Sequence, residues 1–173
     1  MRILDRFKQI DTFMFDVDGV MTDGGVVVLA NEDMARIMNT KDGYALSLAI
    51  KRGYKIFIVS GSAPSGVERR MNNLGVKHVF FKIHDKQAFV EKLIEEHKLV
   101  RDKILFMGDD MPDLPVFDVV GLGCCPADAI EELTSAADYI SPKVGGAGCV
   151  RDVIEKVLKA NNDWGHDGNV VSQ

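Results

Sequence analysis

The stretch Thr12-Phe13-Met14-Phe15-Asp16-Val17-Asp18-Gly19 decides the fold. A strand with one face in water alternates apolar and polar residues, whereas this run is apolar without a break from Phe13 to Phe15, as in a strand covered on both faces. The acidic pair that follows lies at the carboxyl end of the strand, where open α/β sheets hold their ligands.

Outward from this strand, similar runs recur at Lys55–Ser60 (KIFIVS), His78–Phe81 (HVFF), Lys103–Met107 (KILFM) and Val119–Cys124 (VVGLGC). Helical patterns alternate with them at Gly43–Arg52, Pro64–Leu74, Lys86–His97, Pro112–Phe117, Ala127–Ala136 and Gly148–Ala160. Buried strands joined by helices predict an α/β fold with a doubly wound, Rossmann-like, mostly parallel sheet. In such a sheet the polar residues after the runs, Asp16-Val17-Asp18-Gly19, Ser60-Gly61, His84-Asp85-Lys86 and Gly108-Asp109-Asp110, gather on one edge. Gly24–Asn39 breaks the alternation and reads as two strands turning near Asn31-Glu32-Asp33. A projecting hairpin is marginal alone in water, so its apolar residues predict a second subunit against it.

The chain has 173 residues, the size of one domain, with 46% hydrophobic and 27% charged residues. We expect one domain over residues 1–160 and a flexible polar tail over 161–173, a frayed end carrying Trp164. The apolar runs are too short to cross a bilayer, and Asp5, Lys8 and Gln9 interrupt the N-terminal segment, so neither membrane association nor a secretory signal is expected. Cys124, Cys125 and Cys149 form no CxxC pair and fit buried thiols in a reducing cytosol. A net charge of −5 argues against nucleic acid as a partner. It also conflicts with an anionic substrate, unless a metal ion neutralises the clustered carboxylates.

The chemistry starts from Asp16 and Asp18. With Val17 turned inward, both carboxyl groups face one pocket, where they repel each other unless a divalent cation intervenes or one is protonated. An Asx-rich turn is the plain reading; a calcium loop lacks the later acids and terminal Glu. Asp109, Asp110 and Asp113 form a second acidic group, otherwise a solvated turn with an acid in the first helical turn. Together the two groups offer hard oxygen ligands for Mg2+: Asp16, the Asp18 carbonyl and Asp109. Ser60, with the amides beside Gly61, can hold phosphate oxygens or cap a helix. Lys86 at a helix start opposes the dipole, which suggests a use against negative phosphate oxygens rather than a solvated surface position. In this scheme Asp16 attacks phosphorus, and Asp18 acts as general acid and then base.

DVDG, a Ser, a Lys and GDD, in that order, resemble the haloacid dehalogenase superfamily of phosphatases. FDVDGVMTDGGVVV, NTKDGYAL and GGAGCVRDV are similar, more narrowly, to the 3-deoxy-manno-octulosonate 8-phosphate phosphatases. The resemblance implies a cytoplasmic, capless homotetramer that releases phosphate from a small-molecule sugar-acid phosphate on the route to lipopolysaccharide. It implies that the hairpin helps close a neighbour's site and that the tail from Trp164 acts as a mobile lid. It also carries substrate contacts onto Asn39, Thr40, Lys41, Asp42, Gly43, Ser47 and Arg70, whose guanidinium suits a carboxylate. Ser62 stands where many members have Arg, so phosphatases of nine-carbon relatives, deaminoneuraminate or N-acetylneuraminate 9-phosphate, remain rivals. A receiver-type signalling domain shares the clustered aspartates, hydroxyl and lysine; an acid at Asp18, which speeds dephosphorylation, separates the two. A non-catalytic regulatory subunit is disfavoured by the complete set Asp16, Asp18, Ser60, Lys86 and Asp109.

Overall fold

The computed structural model describes residues 2–31 and 33–170. Glu32 of the expected turn and residues 171–173 of the tail lie outside the described residues. Strands β1 (Thr12–Phe15), β4 (Lys55–Val59), β5 (His78–Phe80), β6 (Ile104–Met107), β7 (Leu122–Cys125) and β8 (Tyr139–Ile140) form one sheet in the order β5-β4-β1-β6-β7-β8. Every pairing in it is parallel. The strand opened by Thr12 is therefore central, with Phe15 opposite Ile58 on one side and Met107 on the other.

Two apolar layers explain the unbroken runs. Alternate residues Phe13 and Phe15 pack with α1 (Ile3–Phe7), α2 (Thr40–Lys51), α3 (Gly66–Asn73) and α6 (Cys149–Ala160). Met14, Phe57 and Phe106 point the other way, against α4 (Lys86–Glu96) and the 3-10 segment Met111–Val119. Each fully buried phenylalanine contributes about 2–3 kcal/mol of apolar transfer energy. The expected sheet and its order of helices hold.

The elements beyond the strong runs differ in detail. The short α1 and the edge strand β8 were not anticipated, and α5 (Glu131–Ala136) starts four residues later than its pattern because residues 127–130 form a turn. Pro112 and Pro115 remove amide donors, so Met111–Val119 winds as 3-10 rather than α. The hairpin forms from β2 (Val27–Val28) and β3 (Met34–Ala35), antiparallel, with Val27 opposite Ala35. Val27, Val28 and Ile37 are exposed.

From Asn161 the chain turns back over α2. Tyr54 donates to Asp163 at 2.7 Å, Lys51 meets Asp167 at 2.6 Å, and Trp164 lies edge-on to Tyr44 with Arg151 over its ring.

Candidate active site

Each functional side chain is delivered by the end of a strand. Asp16 follows β1, its amide donating to the Met107 carbonyl at 3.0 Å, so the strand ladder carries it to the sheet edge. Val17 is fully buried and its carbonyl accepts from the amides of Val20, Met21 and Thr22, which folds Asp18 and Gly19 into a tight turn. Gly19 has φ +83°, and a Cβ there would stand 1.9 Å from a carboxylate oxygen of Asp109. Only glycine lets the β1 and β6 loops approach so closely.

Beyond β4, the Ser60 amide donates to Phe80 and its carbonyl accepts from Ile83, which ties this loop to the end of β5. The Ser60 hydroxyl pairs with that of Ser62 at 2.8 Å and accepts from the Ser62 amide at 3.2 Å. It caps no helix: α3 begins at Gly66 and is capped by Ser65. Lys86 opens α4, whose cap is Asp85, and is itself buried, 3.1 Å from Asp16 and 2.6 Å from Asp113. These two contacts account for a lysine placed against the helix dipole.

Asp113 accepts from Lys86 through one oxygen and from the amides of Asp109 and Asp110 through the other, at 3.1 and 3.4 Å. It holds the Asp109 loop in shape. Asp16, Asp109 and Asp113 have ligand oxygens within 4.8 Å of one another. Three hydrogen bonds already engage Asp113, so Asp16 and Asp109 are the side chains placed to hold a metal. Burial, then the charge of Asp113, pushes Asp16 up to about 7 against the opposing pull of Lys86. Burial, then Asp16 and Asp113, pushes Asp109 up to about 7. Burial opposes the charge on Lys86, but Asp16 and Asp113 outweigh it and raise its pKa. Two carboxylates in this condition fit a hard divalent cation such as Mg2+, which relieves their repulsion.

Asp16, Asp18, Ser60, Gly61, Ser62, Lys86 and Asp109 line one pocket of about 360 Å³. A larger cleft of about 890 Å³ adjoins it at Ser62 and is lined by hairpin residues, Arg36 and Arg70. An acidic pocket thus opens into a wider space lined by two guanidinium groups.

Comparison with known proteins fits this geometry. The family model for haloacid dehalogenase-like hydrolases matches residues 78–151. The 3-deoxy-D-manno-octulosonate 8-phosphate phosphatase of Salmonella typhi is 31% identical over 158 residues, 91% of this chain and 84% of that one. The chain belongs to the haloacid dehalogenase-like hydrolases. Among solved structures, the 3-deoxy-D-manno-octulosonate 8-phosphate phosphatase from Yersinia pestis matches with a TM-score of 0.91 at 29% identity, over 99% of this chain and 91% of that chain. The phosphatase of that name from Moraxella catarrhalis, solved with a magnesium ion, a phosphate ion and a KDO molecule, has a TM-score of 0.90 at 30% identity, over 93% and 92% of the two chains.

This haloacid dehalogenase-like hydrolase has no cap domain among the described residues: only the hairpin and α2 lie between Asp18 and β4, and α4 with a short 3-10 turn between Lys86 and β6. No described helix is long and apolar enough to cross a membrane. The hydrolase places the other expected contacts away from the acidic pocket. Asn39 caps α2 through the Lys41 amide and donates to the Gly146 carbonyl, while Thr40 and Lys41 are exposed in the first turn. Gly43 is buried, and the Ser47 hydroxyl donates to the Leu74 carbonyl inside the fold. Asn39, Asp42, Gly43 and Arg70 share a small cavity beneath the larger cleft, and of these Arg70 also lines the cleft itself.

Asp42 accepts from the Arg151 amide at the start of α6 at 2.8 Å, while its second oxygen is buried without a hydrogen-bond partner among the described residues. Burial raises it to about 6, against the lowering effects of Arg151 and Arg70. A carboxyl raised on folding binds more protons in the folded state, so its contribution is greatest below the unfolded pKa near 4 and is lost as pH rises through about 6. Asp42→Asn has no such loss. The unfolding free energy of the variant minus that of the unmodified chain should rise by about 2–3 kcal/mol between pH 4 and pH 6 and then level off. Urea denaturation across that range measures it; a flat difference would show that Asp42 ionises freely.

Sequence reasoning missed Arg36. It donates to both carboxylate oxygens of Asp18, at 2.5 and 3.1 Å. The only signal was a basic residue within an otherwise apolar stretch, ARIM, of the hairpin.

Proposed function

We propose that this hydrolase cleaves a sugar-acid phosphate, 3-deoxy-D-manno-octulosonate 8-phosphate, through a phosphoaspartate on Asp16. One observation carries the reading: four separate strand ends bring Asp16, Asp18, Ser60, Lys86 and Asp109 to a single pocket, and that pocket opens onto a cleft with Arg36 and Arg70. The cleft has room for a sugar acid, and Arg70 in its lining offers a cation for the carboxylate.

Asp16, the Asp18 carbonyl and Asp109 would hold Mg2+, which when bound would supply charge neutralisation for the phosphate. Lys86, fixed 3.1 Å from Asp16, sets a positive charge beside the transferring group. The Ser60 hydroxyl and the amides of the Gly61–Ser62 turn orient the phosphate oxygens. The Asp16 carboxylate forms a bond to phosphorus as the bond to the sugar oxygen breaks, and Asp18 gives its proton to that oxygen. Asp18 then takes a proton from water as the water attacks phosphorus, which releases inorganic phosphate and restores the Asp16 carboxylate.

The second reading is a nine-carbon sugar-acid 9-phosphate, and the observation that favours it is Ser62. Its hydroxyl is turned to Ser60 where the cleft meets the pocket, so no charge at this residue selects for substrate length. Phosphate release measured in parallel on the eight- and nine-carbon substrates tests both. The octulosonate reading expects kcat/KM at least about tenfold higher on the eight-carbon substrate, the preference that one well-placed contact gives. A reversed preference overturns it, and no release from either substrate overturns the sugar-acid reading.

The exposed Val27, Val28 and Ile37 of the hairpin support assembly as a homotetramer in which these residues are covered. Sedimentation should show a tetramer at micromolar concentration, and a stable monomer would contradict this. The reduced, buried cysteines fit a cytoplasmic enzyme.

A further inference from the structure

Arg36 stands just after β3, outside the main sheet, yet its side chain is only 6% exposed because it reaches back to the turn after β1. Its Nε donates to Asp18 Oδ1 at 2.5 Å and its Nη2 to Asp18 Oδ2 at 3.1 Å, while Nη1 donates to the Met34 carbonyl of its own hairpin at 3.4 Å. A planar fork that takes both oxygens of a carboxylate fixes the plane of that carboxylate as well as its position, which a point charge does not. Asp18 needs such a constraint. It sits in a tight turn and its side chain is 32% exposed, whereas Asp16 is buried beside Lys86.

We propose that Arg36 is a positioning residue for the reaction, acting through Asp18: it aims the carboxyl group that serves the leaving oxygen and the attacking water, keeping its hold on one oxygen while the other carries the proton. This rests on the phosphoaspartate reading above. The hairpin thereby becomes part of the chemistry, because the strand pair that carries Arg36 must be seated for Asp18 to be aimed. The Met34 carbonyl holds the far side of the guanidinium and transmits the seating of β3 to the fork.

The test compares single-turnover formation of the phosphoenzyme by the full-length chain, with Mg2+ present, on two substrates. One is the sugar-acid phosphate that the chain turns over, whose alkoxide needs a proton in order to leave. The other is p-nitrophenyl phosphate, whose phenolate leaves without one. Arg36→Gln should slow the step about 10- to 100-fold on the sugar phosphate, the loss expected from misplacing a reacting group by about an ångström. On p-nitrophenyl phosphate the loss should be at least about tenfold smaller, because little general-acid help is forgone. The sugar-phosphate loss should fall in kcat rather than KM, and Arg36→Lys should restore part of it. In an Asp18→Asn background, Arg36→Gln should have little further effect, since the group it aims is no longer an acid.

Equal losses on both substrates overturn the proposal, as does a loss confined to KM. An Arg36→Gln effect undiminished in the Asp18→Asn background also overturns it and assigns Arg36 to substrate binding instead. Failure of the phosphoaspartate reading is distinguishable, because the unmodified chain would then form no phosphoenzyme with either substrate.

Discussion

Asp16→Asn is expected to lower kcat by at least about 10⁴-fold while the protein stays folded, because a displacement reaction loses its nucleophile outright. Two features of the site make the separation of activity from stability clean. Asp16 is buried and pushed up to about 7, so its ionised form contributes no net stabilisation without a metal. Its partner Lys86 keeps Asp113 at 2.6 Å, so no charge is stranded when the carboxylate becomes an amide. Phosphate release and thermal unfolding, measured on the same metal-free and Mg2+-loaded samples, check both halves. In the unmodified chain Mg2+ should raise the unfolding temperature through mass action, and in the variant that shift should shrink because one ligand oxygen is gone. Turnover near the unmodified rate would remove Asp16 from the chemistry.

Lys86→Met has the opposite signature, since it damages stability and activity together. The ammonium lies between Asp16 and Asp113 in a nearly dry environment, and its removal leaves two buried carboxylates facing one another. Breaking a buried ion pair by deleting one partner costs about 3–5 kcal/mol. The rate on the variant that still folds should fall by about 10²–10³, the loss typical of removing one electrostatic stabiliser of the transition state. The deficit in stability depends on pH. With Lys86 gone, the pKa of Asp16 lies above its present value of about 7, so the deficit should shrink as pH falls toward 7 and level off below it. Denaturant unfolding at pH 8 and pH 6 measures this. An unchanged midpoint at pH 8 would mean that Lys86 is not the counter-ion of the buried pair.

Much of this architecture was legible because burial on both faces leaves a plain mark in sequence. TFMF, KIFIV and ILFM cannot alternate when helices cover each side of the sheet, and the polar residues that follow them had to lie at its edge. The central position of β1 followed less directly, since strand order depends on crossovers that periodicity does not record. The weaker elements were hidden for local reasons. Two-residue β8 is too short to show a period, and α1 has five residues, two of them charged.

In the site, the four loops were readable because each follows a strong strand. Arg36 was not, because its role depends on the hairpin folding back onto the turn at Asp18, a contact between residues 18 apart that no spacing rule encodes. Asp42 and Ser47 illustrate the converse. Family likeness drew both toward substrate, while the fold turns Asp42 to the amide of Arg151 and Ser47 to the carbonyl of Leu74. Asp113, readable only as an acid near a helix start, proves to be the residue that joins Lys86 to the Asp109 loop.

The most direct measurement is a crystal structure of the protein grown with Mg2+ and beryllium fluoride, which mimics a phosphoryl group on a carboxylate. Beryllium is expected on a carboxylate oxygen of Asp16, with Mg2+ held by the other Asp16 oxygen, the Asp18 carbonyl and Asp109. A beryllium adduct on any other residue, or a magnesium ion bound away from Asp16 and Asp109, would contradict it.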